Sequence, residues 1–86
     1  MTKERMLEIL REAGLTWDQL EYMSARVHDD WNAQKVADGY KYGPVRDDTN
    51  KVNPYMCSYE DLTEEVKHWD RVTVCSVLQH LPRRGG

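Results

Sequence analysis

Five side chains that could do recognition chemistry fall close together in the middle of the chain: Tyr40, Tyr42, Arg46, Asp47 and Asp48. A guanidinium forks onto a carboxylate or a phosphate, and a tyrosine face stacks on a planar ring. Such a set could contact a ligand or a protein partner. Each group also has a plainer reading. Arg46 can pair with a carboxylate such as Asp70, and Asp47 or Asp48 can cap a turn. In an extended segment Tyr40 and Tyr42 point to opposite sides. One can then face the core while the other faces out, and Tyr42 reads as the core residue.

Other chemistries fail on spacing. A calcium loop starting at Asp48 would place Val52, Asn53 and Tyr59 at its fifth, sixth and twelfth positions, where oxygen ligands, glycine and glutamate are needed. Gly39 and Gly43-Pro44 are not followed by Gly-Lys-Ser/Thr, so no phosphate loop is present. His28, His68 and His80 have no zinc spacing; His28 and His80 read as packing or polar residues. No Ser-His-Asp or Cys-His arrangement can be assembled, so the reading is of a non-enzymatic protein without metal or cofactor.

Composition narrows the class. Eighty-six residues with a net charge of -3 and no basic stripe argue against a nucleic-acid binder. Three Trp and five Tyr argue against disorder. Cys57 and Cys75 match no Cys-x-x-Cys pattern and read as free thiols rather than a disulfide. The charged N-terminus lacks a secretory apolar region, and no stretch reaches the ~20 apolar residues of a membrane span. The expected location is cytoplasmic.

The elements that must hold the central loop are helices. Residues 3–13 carry Met6, Leu10 and Ala13 on one stripe, and Gly14 ends the run. Thr16 and Gln19 form a capping box, with Leu15 and Leu20 placed as a hydrophobic staple. From Trp17 a long helix runs to Ala37 or Asp38, and Gly39 closes it. Leu20, Met23, Val27 and Trp31 form its main stripe; Tyr22, Ala25, Ala33 and Val36 form a second, nearly opposite. Two apolar faces imply a sandwiched helix. Residues 39–58 have no helical period and several turn signals, with short strands at Tyr40–Tyr42 or Tyr55–Ser58. A second long helix begins near Asp61 to Thr63. Leu62, Val66, Trp69, Thr73 and Val77 form one stripe, Val74, Leu78 and Leu81 another, and Pro82 stops it. Trp31 and Trp69, on helical stripes, read as core. The expected fold is mainly α: two long packed helices joined by an ordered loop, with a short N-terminal helix.

These residues resemble the ryanodine-receptor repeat (Ryr) domain. The resemblance rests on the His28-x-x-Trp31 pair and the run Gly39-Tyr40-x-Tyr42-Gly43-Pro44-x-Arg46-Asp47-Asp48. Lys51 and Pro54 follow in the family's order, with Asn53 where a histidine is usual. Tyr59 and Leu62, then Lys67, Asp70 and Arg71, complete the match, with Thr63 where a proline is common. It covers residues 19–81, leaving 1–18 as an N-terminal extension and 82–86 as a loose tail. The family occurs in pairs in large calcium-release channels and singly in small prokaryotic and phage-type proteins, the form this chain resembles. The resemblance implies two packed helices with the loop folded across them. It also implies a binding role, for a nucleotide-like ligand or a protein partner, with Tyr40, Tyr42, Arg46, Asp47 and Asp48 as ligand contacts. His28, Trp31, Gly39, Gly43, Pro44, Pro54, Tyr59, Asp70 and Arg71 are then structural. A lone copy with two apolar helix faces is expected to form a homodimer, unless residues 3–13 cover the second face. The alternative function is a structural or oligomerisation unit without ligand.

Overall fold

The computed structural model of the chain describes residues 1–82. Three helices dominate: α1, Lys3–Ala13; α2, Trp17–Ala37; and α3, Glu64–Leu78. Each start is set by a threonine whose hydroxyl accepts a backbone N–H. Thr2 accepts from Arg5, Thr16 from Gln19 and Thr63 from Val66. At α2 the box is reciprocal: Gln19 N donates to Thr16 Oγ1 at 3.2 Å and Thr16 N to Gln19 Oε1 at 2.8 Å. Such caps satisfy donors that a helix start otherwise leaves orphaned. Gly14 ends α1 in a left-handed conformation at φ 72°, which a side chain would resist.

α1 is part of the core rather than an appendage. Met6, Ile9 and Leu10 are fully buried and cluster with Leu20 of α2 and with Val74 and Cys75 of α3. Each such burial stabilises the fold by roughly 1.5–3 kcal/mol. Leu15, Trp17, Met23, Val27 and Leu78 pack around this cluster. A second cluster joins Ala25 of α2 to Tyr59 and Leu62, with Tyr55, Cys57 and Val66 beside it. Tyr59–Asp61 is a 3₁₀ turn leading into α3.

The connection between α2 and α3 is ordered by a small parallel pairing. β1, Lys41–Tyr42, lies beside β2, Val52–Asn53. An isolated antiparallel bridge between Asp47 and Val52 closes the loop on itself. Gly43 is needed for this approach, because a Cβ there would stand 2.3 Å from Val52 Cγ1.

Three expectations change. The second strand is Val52–Asn53, not a segment within Tyr55–Ser58. α3 ends at Leu78, short of Pro82, because its last carbonyls are taken by a tightened turn: His80 N donates to Val77 O and Leu81 N to Leu78 O. Tyr42 is not core. It is 63 % exposed, since β1 pairs with β2 at the loop's outer edge and the inward place belongs to Asn53. Cys57 and Cys75 are both free thiols. Arg83 to Gly86, most of the expected tail, lie outside the described residues. Among the described residues, no helix is long and apolar enough to cross a membrane.

Candidate functional site

A cleft of about 280 Å³ opens where the loop leaves a gap between α2 and α3. His28, Trp31 and Lys35 line it from α2, Arg46, Asn53 and Tyr55 from the connection, and Val66, Trp69 and Asp70 from α3. The helical contributions follow from spacing. Residues 28, 31 and 35 fall on one face of α2, and residues 66, 69 and 70 on one face of α3. Tyr55 meets Trp69 edge-to-face, with centroids 5.5 Å apart, and fixes that wall.

Two cations serve the cleft. Lys35 Nζ lies over the Tyr40 ring at 4.2 Å and over the Trp31 ring at 5.6 Å. Arg46 forks onto Asp48 through Nε at 3.3 Å and Nη2 at 3.1 Å. That bond to Asp48 holds the Arg46 guanidinium above its ordinary value. Arg46 can turn to an anion because its Asp48 partner is at the surface, whereas Lys35 lies half-buried between two half-buried rings and, among the described residues, holds them by cation–π contact alone. Arg46 is 66 % exposed.

The floor is a polar pair. His28 is buried, stacked on Trp31 with centroids 5.4 Å apart. Its Nε2 lies 2.8 Å from the Cys57 carbonyl, which can only accept, so Nε2 carries a proton. Asn32 Nδ2 donates to the same oxygen at 2.9 Å. His28 Nδ1 faces Asp70 Oδ2 at 3.4 Å, close enough to pair charges but short of hydrogen-bond geometry. Asp70 Oδ2 is buried, with no hydrogen-bond partner among the described residues. Burial pushes the Asp70 carboxyl above the usual carboxylate range, and His28 pulls it back.

The structure separates the residues singled out from the sequence. Arg46 reaches the cleft, but its partner is Asp48, not Asp70 as the pairing argument expected. The loop carries Arg46 outward, and Asp70 is turned to His28. Asp47 holds the turn: Asn50 donates to it from its backbone at 3.1 Å and its side chain at 2.7 Å, keeping that carboxyl below its usual value. Tyr40 is half-buried behind Lys35 and does not line the cleft. Trp69 is not core; it is 51 % exposed, because α3 turns residues 71, 74 and 75 inward instead. Trp31 is half-buried and also faces the cleft.

Lys35, Asn53 and Tyr55 were not anticipated as site residues. Lys35 could have been found, since it continues the His28–Trp31 face by one turn. Asn53 and Tyr55 depend on loop geometry. Asn53 is buried, and its side-chain oxygen accepts from Tyr55 N at 2.8 Å.

Arg71 belongs to a structural network behind the cleft. It donates through Nε to Glu21 and through Nη1 to Glu64 at 3.0 Å. Tyr59 OH donates to Glu21 at 3.2 Å. The Glu21 bond raises Arg71, the Arg71 bond lowers Glu64, and burial pushes Tyr59 up to about 12. Among the described residues no group of His, Cys, Asp or Glu is placed to hold a metal ion. The model of one known family, described as the RyR domain, matches residues 15–85.

Proposed function

Because the chain belongs to the RyR domain family, we propose that it is a non-enzymatic binding module whose cleft takes a nucleotide-like ligand. One observation carries this reading: two indoles, Trp31 and Trp69, line the same cleft as two cations, Lys35 and Arg46. A planar base gains stacking on indole faces, and a phosphate gains charge-assisted hydrogen bonds. Lys35 leaves the Trp31 face as it turns to the phosphate, which frees that face for the base. The cleft volume of about 280 Å³ suits part of a nucleotide, a base with its sugar, leaving phosphates at the rim.

A thermal-shift screen against nucleotides and cyclic nucleotides tests this. Ligand at tenfold its Kd stabilises the native state by roughly 1.4 kcal/mol, which moves the melting midpoint of a domain this size by several degrees. One compound class is expected to give that shift, and Lys35→Glu to abolish it. No shift with any nucleotide contradicts the reading.

A second reading, self-association without ligand, rests on Tyr22 and Val36 on α2 and Val77 on α3, all largely exposed. Self-association would take such side chains out of water. Sedimentation equilibrium separates the two. A species of twice the 10.1 kDa chain mass, with no nucleotide response, favours self-association.

A further inference from the structure

His28 Nδ1 and Asp70 Oδ2 face each other in the lining of the cleft, and that position gives their protonation a consequence. The Cys57 carbonyl accepts from His28 Nε2 and from Asn32 Nδ2, at 2.8 Å and 2.9 Å. This fixes the Nε2–H tautomer whenever His28 is neutral. Neutral His28 then turns the bare lone pair of Nδ1 toward Asp70 Oδ2, 3.4 Å away. Two acceptors then face each other, and Oδ2 has no hydrogen-bond partner among the described residues. One proton on Nδ1 converts this opposition into an imidazolium–carboxylate pair.

A proton shared with Asp70 Oδ2 relieves the same opposition, so the uptake belongs to the pair. Among the described residues, Asp70 of α3 is the charged group that faces His28. From the connection it meets the uncharged Cys57 carbonyl, and from its own helix Trp31 and Asn32. Lys35 and Arg46 line the same cleft but are engaged with aromatic rings and with Asp48. Before proton uptake, an ionised Asp70 presents an uncompensated negative charge at the floor of a cleft meant for an anion. After uptake the floor is neutral. A bound phosphate and the proton therefore favour each other, and linkage makes that favour reciprocal.

We propose that the His28–Asp70 pair takes up one proton from solvent when an anionic nucleotide enters the cleft, so that affinity rises as pH falls. This rests on the cleft being a nucleotide site. It makes His28 and Asp70 positioning and regulatory groups rather than inert packing.

The test follows the imidazole nitrogens of the full chain by two-dimensional ¹H–¹⁵N NMR across the acid-to-neutral range, without and with AMP. Nε2 is expected to stay protonated throughout. Nδ1 is expected to pass from bare to protonated as pH falls, at a midpoint that AMP raises by about one unit. That shift equals about tenfold tighter AMP binding on the acid side. Asp70→Asn, which places an N–H donor opposite Nδ1, should keep Nδ1 bare to lower pH and flatten the pH dependence of AMP binding. His28→Gln, which keeps an amide donor for the Cys57 carbonyl, should flatten it too.

AMP that binds in wild type, moving the Trp31 and Trp69 indole signals, without moving the Nδ1 midpoint overturns the proton linkage and leaves the nucleotide reading intact. No response to AMP, cyclic AMP or GMP at the indoles removes the nucleotide reading, and the linkage with it.

Discussion

At the scale of single residues, the two arginines that the sequence made prominent have opposite characters. Arg71 is buried and forked between Glu21 and Glu64, with its guanidinium also over the Trp17 ring at 5.4 Å. Arg71→Met leaves Glu21 half-buried without its counter-charge. It is expected to cost about 2 kcal/mol in urea denaturation, less than a fully buried pair would lose, because both carboxylates keep contact with water. Arg46→Ala is expected to leave the denaturation midpoint unchanged and to weaken nucleotide binding, since its pair with Asp48 is solvent-exposed. Equal losses of stability from both variants would contradict these assignments.

Tyr59 gives a pH signature of the same network. Burial raises its phenol from the ordinary 10.0 to about 12. As pH rises through that interval the unfolded chain loses the proton while the folded chain keeps it. The folded state then binds more protons, so stability falls with rising pH. Below the interval both states are protonated and Tyr59 contributes no slope. Tyr59→Phe should flatten the loss of stability between pH 10 and about 12, read as ΔG from denaturation at each pH, against the wild-type slope. An identical slope in both proteins would show that Tyr59 does not titrate late.

At the scale of elements, the helices were legible and the loop was not. The Thr16–Gln19 box, the stripe through Leu20 and the glycine after α1 are local signals, and local signals set α1 and α2 directly. Trp31 and Trp69 also lie on apolar stripes, so periodicity alone assigns them to the core. What turns them toward a cleft is the incomplete cover given by the connection, which no helical period encodes. The partner of Arg46 was missed for the same reason. Whether it meets Asp48 or Asp70 is decided by where Gly43 and the Asp47–Val52 bridge send the chain.

That geometry is testable at Gly43. A methyl group there would overlap Val52 Cγ1 at 2.3 Å, so Gly43→Ala should force β1 and β2 apart. Overpacking of this kind costs about 1–3 kcal/mol. Val52→Ala removes the offending atom, and the nearest remaining Val52 contact would be Cβ at 3.7 Å. The double variant should therefore be more stable than Gly43→Ala alone. A double variant no better than Gly43→Ala would mean that the loop fails there for another reason.

At the scale of the whole molecule, α1 is the piece the sequence placed least well. It stands outside the resemblance over residues 19–81, and the family match begins only at residue 15. Yet it brings Met6, Ile9 and Leu10 into the larger core cluster. A chain this short has little other core to draw on. Leu10→Ala is expected to cost about 2–5 kcal/mol. Removal of residues 1–14 should abolish cooperative melting, measured by circular dichroism. A truncated chain that still melts cooperatively near the wild-type midpoint would show that α2, the connection and α3 fold without it.

The account turns on one cleft, and chemical-shift mapping with a nucleotide panel tests it most directly. The indole N–H signals of Trp31 and Trp69 should move together with one nucleotide class, with the backbone signals of Lys35, Arg46 and Asp70 following at the same concentration. Those of Trp17, on the α1 side of the molecule, should stay in place. Saturable shifts in that pattern are the predicted result. Shifts confined to other surfaces, or none with any nucleotide at millimolar concentration, would contradict the assignment of this cleft as the ligand site.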